Sequence, residues 1–291
     1  MRPKLPLGLF LCLSLLAWGC GKPHLATSSS QTYDPAAFGI AQAMRSFYGN
    51  YDPVRRTSTI SFAKTVPVRT TGEPMTVRPL FHSFSDDSGS LNFVLVTYAV
   101  PKRDEEYYCH ACAPTIGMAV FSRKGSDWMM AASNAAVTDA GEFGKPPTDI
   151  GLVQAGANRH AVMIDDVGEG NGETTAVLLI MAPWSGNVNL ALERIVSDDD
   201  AGACEPDGGL PCYGNHRSVR FLREGTADYY ELQLSLTGTD LPLSDLRRHS
   251  KARPVLGDET LRFEDGRYQQ ISREGDLTTL DRVVAKREGL K

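Results

Sequence analysis

The sequence predicts a mainly β chain: one antiparallel body, built as a sandwich or as a barrel-like or propeller-like stack, with a single N-terminal helix packed on it. Three observations carry this expectation. Beyond about residue 58 the apolar runs are short and bounded by Gly, Pro, Ser or Asn. Two tight-turn signals sit between aromatic-flanked segments. Strands and long helices do not alternate, which argues against a parallel α/β sheet. With 291 residues, 42% of them apolar and 22% charged, the chain is long enough to bury a sizeable core.

The helix is expected over residues 34–48. Asp34 suits the N-cap, Pro35 suits the first helical position, and Gly49 can stop the run. Phe38, Ile40, Ala41, Met44, Phe47 and Tyr48 fall close to helical spacing and read as a core-facing stripe. Strands are expected at residues 91–100, 116–121, 176–181 and 188–196, and residues 229–237 alternate through Tyr230, Leu232, Leu234 and Leu236. Such alternation buries one face and wets the other. Phe121 and Trp128 flank Lys124-Gly125-Ser126, and Phe263 and Tyr268 flank Asp265-Gly266, a favoured two-residue turn. A last helix is expected at residues 277–288. The segment 197–215 reads as the largest wet insertion. No clean repeat of 40–50 residues supports a propeller.

The start of the chain is the most specific feature. Arg2 and Lys4 precede an apolar run from residue 5 to 17, the length of a signal-peptide core and short of the ~20 residues a membrane span needs. The run ends at Leu16-Ala17-Trp18-Gly19-Cys20. A small residue directly before Cys resembles the lipobox of bacterial lipoproteins, although Ala17 and Trp18 hold places where that family more often has Leu and a small residue. The resemblance covers the first 20 residues. It implies removal of residues 1–19 and acylation of Cys20. Gly21, in place of Asp, implies outer-membrane delivery. Residues 20–33 then form a lipidated Cys and a polar tether with a reach of roughly 20 Å, and residues 34–291 form the β-rich body. That body is expected in the bacterial envelope, facing the periplasm and held to the membrane by lipid.

Four cysteines remain in the body: Cys109, Cys112, Cys204 and Cys212. An even number in an oxidising compartment reads as two disulfides. Three pairings exist; Cys204 with Cys212 is favoured, which leaves Cys109 with Cys112. The stretch Cys109-His110-Ala111-Cys112 also admits other chemistry. Zinc would accept Cys, His and Cys, but a closed site needs a fourth ligand. A haem attachment needs His after the second Cys, where Ala113 stands. A redox pair should open a helix, whereas residues 116–121 read as strand. A zinc deaminase needs an upstream H-x-E, which is missing from this sequence. A structural disulfide beside a strand is the expectation; a metal-binding or redox module centred on this segment is the alternative.

Together with Trp128, Phe143-Gly144, the acidic Gly-rich stretch at 165–175 and Phe263-x-x-Gly266-x-Tyr268, the 109–121 segment resembles a group of exported β-rich bacterial proteins. The resemblance spans much of residues 91–270 with loosely spaced motifs. It implies a secreted β fold and assigns no catalytic residue.

Two further constellations stand out. Asp165, Asp166, Glu169, Asn171 and Glu173 gather oxygen donors in what reads as a solvated, Gly-rich hairpin loop between strands, with a calcium site lacking the EF-hand spacing as the alternative. Asp198-Asp199-Asp200 is a second donor run. Arg247, Arg248, Lys251 and Arg253, with His249, form a basic cluster that could dock an acidic protein, an anionic lipid or a cell-wall polymer. Net charge is −5, which argues against nucleic acid as the main partner. The sequence carries no G-x-S-x-G, H-E-x-x-H, Walker or dinucleotide pattern. His82, His160 and His216 are scattered, and Cys109 with His110 makes a poor dyad because adjacent strand side chains point apart. The expected function is therefore a non-enzymatic envelope lipoprotein that binds a macromolecule, in its sharper form an inhibitor or immunity protein against a periplasm-acting toxin or hydrolase. A structural accessory of envelope assembly is the remaining alternative.

Overall fold

The computed structural model describes residues 38–62, 73–87, 89–101, 109, 112–170, 172–200, 202, 204, 212–224, 227–241 and 251–275. The leader, Cys20, the tether, the start of the expected first helix and the expected helix at 277–288 lie outside the described residues. So do His110, Asn171, Arg247 and Arg248.

The expectation of a mainly β body with one N-terminal helix holds. Among the described residues, helix α1 (Ile40–Tyr48) is followed by thirteen strands: β1 (Ser58–Ser61), β2 (Pro74–Asp87), β3 (Ser90–Pro101), β4 (Thr115–Lys124), β5 (Asp127–Asp139), β6 (Asp149–Gly156), β7 (Arg159–Gly170), β8 (Glu173–Trp184), β9 (Asn187–Asp199), β10 (Gly214–Leu222), β11 (Glu231–Asp240), β12 (Arg253–Glu264) and β13 (Arg267–Gly275). Chain order and pairing divide them into three antiparallel meanders, β2–β5, β6–β9 and β10–β13, with β1 on the free edge of β2. The first and second meanders join through one parallel pair, Ser133 with Asn187. The second and third join antiparallel along residues 197–199 and 214–216.

Side-chain alternation explains how the meanders pack. On β3, Phe93 and Leu95 face α1 while Val94 and Val96 face inward; on β4, Ala119 and Phe121 oppose Ile116 and Met118 in the same way. The inward set meets Val162, Ile164, Val177, Leu179 and Met181 of β7 and β8. The reverse face of β8, Leu178, Ile180 and Ala182, meets Leu232 and Leu234 of β11, Leu261 of β12 and Tyr268 of β13. Three apolar layers thus alternate with sheet. Strands buried on both faces must be apolar throughout, and a fully buried aliphatic side chain contributes about 1.5–3 kcal/mol.

The helix begins later than its N-terminal signals suggest. Phe38 and Gly39 are not helical, and the Gly39 N–H donates to Gln42 Oε1 at 2.7 Å. Gly is a poor interior helix residue, and ending the helix there releases Phe38 into the core. Its ring stacks on Trp128 at 4.8 Å and meets Phe93 edge-on at 5.4 Å. Gly49 does stop the helix, its N–H closing on Arg45 O at 2.8 Å.

Both expected hairpins form. Lys124 pairs with Asp127 and Glu264 with Arg267, leaving two-residue turns at Gly125-Ser126 and Asp265-Gly266. Asp265 and Gly266 both have positive φ, 50° and 84°, the backbone a type I′ turn requires. Two segments expected as loops are strand instead. The hairpin expected at the acidic stretch forms, but its loop is shorter: Asp165, Asp166 and Glu169 lie within β7 and Glu173 opens β8. Residues 197–199 continue β9 and 214–215 begin β10, which shortens the expected insertion from both ends. In each case ladder hydrogen bonds along the neighbouring strand outweigh the weak β-propensity of Asp and Gly.

Candidate functional site

An open cavity of about 410 Å³ is lined by Arg55, Arg56, Arg78, Pro79 and Tyr98. Its first wall is the turn between α1 and β1. Asp52 and Thr57 bridge through their backbones, and Asp52 Oδ1 accepts the N–H groups of Val54 at 2.9 Å and Arg55 at 3.1 Å. Those backbone bonds, the one from Arg55 foremost, hold the Asp52 carboxyl below its usual range. The turn forces Arg56 into the left-handed region at φ 55°, a conformation that costs a residue with a Cβ about 1 kcal/mol. The second wall is β2 against β3. Arg78 and Tyr98 are direct cross-strand partners and share a face, and a bulge between Pro79 and Phe81 re-aims the strand. Pro79 has no N–H to lose at such a bulge.

Arg55 reaches Asp52 at 3.4 Å, on a side chain 83% exposed, so that contact neutralises little. Among the described residues, Arg56 and Arg78 have no carboxylate partner. Guanidinium stays charged at any physiological pH. The field is felt nearby: burial first, then the charge of Arg56, lowers the His82 imidazole from its ordinary value. The site therefore offers several fixed positive donors beside a phenol ring and a proline. It can hold an anion.

A second polar assembly ties the first meander to the second. His160 Nδ1 lies 2.5 Å from Asp87 Oδ1, Asn92 Nδ2 donates to Asp87 Oδ2 at 2.8 Å, and Ser122 Oγ donates to Asn92 Oδ1 at 2.6 Å. The hydroxyl sits at the far end of this chain from the imidazole, so the order is a structural tie and not a nucleophile–base pair.

A third assembly is an acidic row. Thr175, Asp198 and Asn215 are successive cross-strand partners on β8, β9 and β10. Thr175 donates to Asp198 Oδ1 at 3.3 Å, and Asp200 Oδ1 accepts the Tyr213 N–H at 2.7 Å. Burial, reinforced by Glu173, Asp240 and Asp199, pushes the Asp198 carboxyl up to about 6. Burial first, then the charges of Asp198, Glu173, Asp200 and Asp240, raise the Tyr213 phenol.

The residues singled out from sequence fall as follows. Cys109 bonds Cys112 and Cys204 bonds Cys212, each with Cα atoms 5.0 Å apart. Sulfurs so joined are not the thiolates a zinc ion takes. Asp165 faces Asp149 directly across the ladder, and its carboxyl is raised by burial and by that like charge. Asp166 turns to the other face and accepts the Gly141 N–H at 2.8 Å. Strand alternation thus separates donors that the sequence sets side by side, and no group of three His, Cys, Asp or Glu positioned for a metal is found among the described residues. Lys251 and Arg253 are exposed at the entry to β12. Arg55, Arg56 and Arg78 went unnoticed in the sequence because only the doublet after Pro53 is local; β2 supplies the third.

No protein-family model matches the chain, and neither a curated protein nor a solved structure is similar to it.

Proposed function

We infer that this chain is a bacterial envelope lipoprotein, acylated at Cys20 and facing the periplasm at the outer membrane, whose β body binds another envelope macromolecule without catalysing a reaction. The observation that carries the reading is the arginine-lined cavity. Recognition needs fixed, uncompensated charge on a rigid frame, and Arg56 and Arg78 supply it from a turn and a strand. Two disulfides add support, since such bonds persist outside the reducing cytosol. The sharper form, an inhibitor or immunity protein, has the protein occlude a toxin or hydrolase that reaches the periplasm.

The test has two parts. Intact mass of the membrane-extracted protein is expected to show a chain beginning at Cys20 with added acyl chains; an unprocessed Met1 start overturns the anchor. Affinity capture of the tagged full chain from envelope extracts, followed by reconstitution with the purified partner, is expected to give a saturable complex. If that partner is a hydrolase, its activity should fall with the complex. Failure of any candidate to reconstitute at micromolar concentration overturns the binding role.

A further inference from the structure

We propose that the cavity formed by Arg55, Arg56, Arg78, Pro79 and Tyr98 is a binding site for a phosphate monoester whose organic part is a ring. This rests on reading the cavity as a recognition site and names the group it recognises.

The argument begins with charge. Three arginines line one cavity of about 410 Å³, and among the described residues their sole carboxylate contact is the long, exposed one from Arg55 to Asp52. A carboxylate brings one negative charge in one plane and is satisfied by a single bidentate Arg. A phosphate monoester brings close to two charges and tetrahedral oxygens that accept from several directions. Arg55 and Arg56 come from the turn, whereas Arg78 comes from β2, so two separate elements bring arginines to one cavity. Charge supplied from two sides suits an acceptor that can be approached from several directions.

Strain supports the same reading. Arg56 is held left-handed, and strained backbone persists where the surroundings impose it, commonly at ligand clamps. Size supplies the rest. A phosphate group alone fills only a fraction of the cavity, and Tyr98 with Pro79 offers flat apolar surface on which a ring can lie.

Two sources present this chemistry, a soluble ring phosphate or a phosphate-bearing lipid headgroup, and the experiment separates them. The full chain is titrated with inorganic phosphate, phenyl phosphate and benzoate by NMR, with the His82 ring as reporter. Vesicles of phosphatidylcholine with and without phosphatidylinositol phosphate are tested by co-sedimentation. Phenyl phosphate is expected to bind saturably, at least tenfold tighter than inorganic phosphate or benzoate, and to weaken at least tenfold in both Arg56→Gln and Arg78→Gln. Vesicle binding that depends on the phosphoinositide and on both arginines, with weak binding of phenyl phosphate, supports the site with a lipid source. Benzoate binding as tightly as phenyl phosphate overturns the proposal in favour of a carboxylate. So does phosphate binding that both variants retain, or the absence of saturable binding to any phosphate probe by about 10 mM. Should Arg56→Gln fail to fold, Arg78→Gln alone decides, because Arg78 carries no backbone strain. Phosphate probes that all fail while the native chain still captures its partner overturn the phosphate assignment and leave the binding role standing.

Discussion

Arg217 and Glu259 face each other at 3.6 Å with side chains only 2% and 4% exposed, an ion pair sealed between β10 and β12 across β11. Arg194 of β9 reaches the same carboxylate at 3.4 Å, so one buried acid serves two arginines. Burying such charges is costly, and removing one partner is costlier than removing all. Glu259→Ala is therefore expected to destabilise by about 3–5 kcal/mol. Replacing Glu259 by Leu together with Arg217 by Met is expected to recover most of that loss. Urea unfolding of the two variants beside the native chain checks both. A double variant no more stable than Glu259→Ala would show that the pair contributes more than its own neutralisation.

Asp198 makes the body sensitive to pH in a stated direction. Its carboxyl titrates near 3.8 when unconstrained and at about 6 in the fold. Between those values the folded state binds the proton and the unfolded state does not, so this group's contribution to stability falls as pH rises through the window. Asp198→Asn keeps an oxygen for the Thr175 hydroxyl and removes the charge. The variant is expected to match the native chain near pH 4 and to exceed it by about 1–3 kcal/mol at pH 7.5. Equal differences at the two pH values would remove Asp198 from the account.

The fold was more legible than the site, and for a physical reason. Periodicity reports burial, so strands sealed on both faces, such as β3 and β8, and the one-face strand β11 were readable from residues 91–100, 176–181 and 229–237. Asp265-Gly266 announced its hairpin because backbone φ restricts the choice of residue there. The acidic ends of β7 and β9 were misread as loops, since their polar side chains carry no core signal while the ladder continues beneath them. Glu259 and Arg217 look like ordinary solvent-facing residues in an alternating strand, and only the packing of β10 and β12 reveals them as core. The cavity required Arg78 to meet the turn at Arg55 and Arg56, a long-range juxtaposition that no local spacing encodes.

Two glycines test how close backbones approach. Gly238 has φ 128°, and a Cβ there would strike Gly214 O and lie 2.7 Å from Asn215 Cα, both backbone atoms of the adjoining strand. At Gly266, φ 84°, the added carbon would strike the amide of Asn189, a side chain that can turn away. Gly238→Ala is expected to cost more than about 3 kcal/mol and Gly266→Ala roughly 1–2 kcal/mol. Thermal melting of both variants ranks them. A milder effect at Gly238 would mean that β10 and β11 separate easily at that point.

The disulfides should differ in what they contribute. Cys204 and Cys212 are eight residues apart, Cys109 and Cys112 three. Cross-linking stabilises chiefly by restricting the unfolded chain, and the restriction grows with the loop closed. The longer loop is expected to contribute about 2.5 kcal/mol and the shorter about 2 kcal/mol. The shorter one has a second role in the fold, since Cys112 O accepts the Gly144 N–H at 2.7 Å and Pro114 O accepts that of Ala140 at 3.1 Å. Those bonds fix the entry to β4 against the end of β5. Replacing Cys109 and Cys112 by Ser is therefore expected to speed amide exchange at Gly144 and Ala140, whereas replacing Cys204 and Cys212 should lower global stability and leave those two amides protected. Exchange that responds equally to both replacements would mean that the 109–112 loop does not hold this corner.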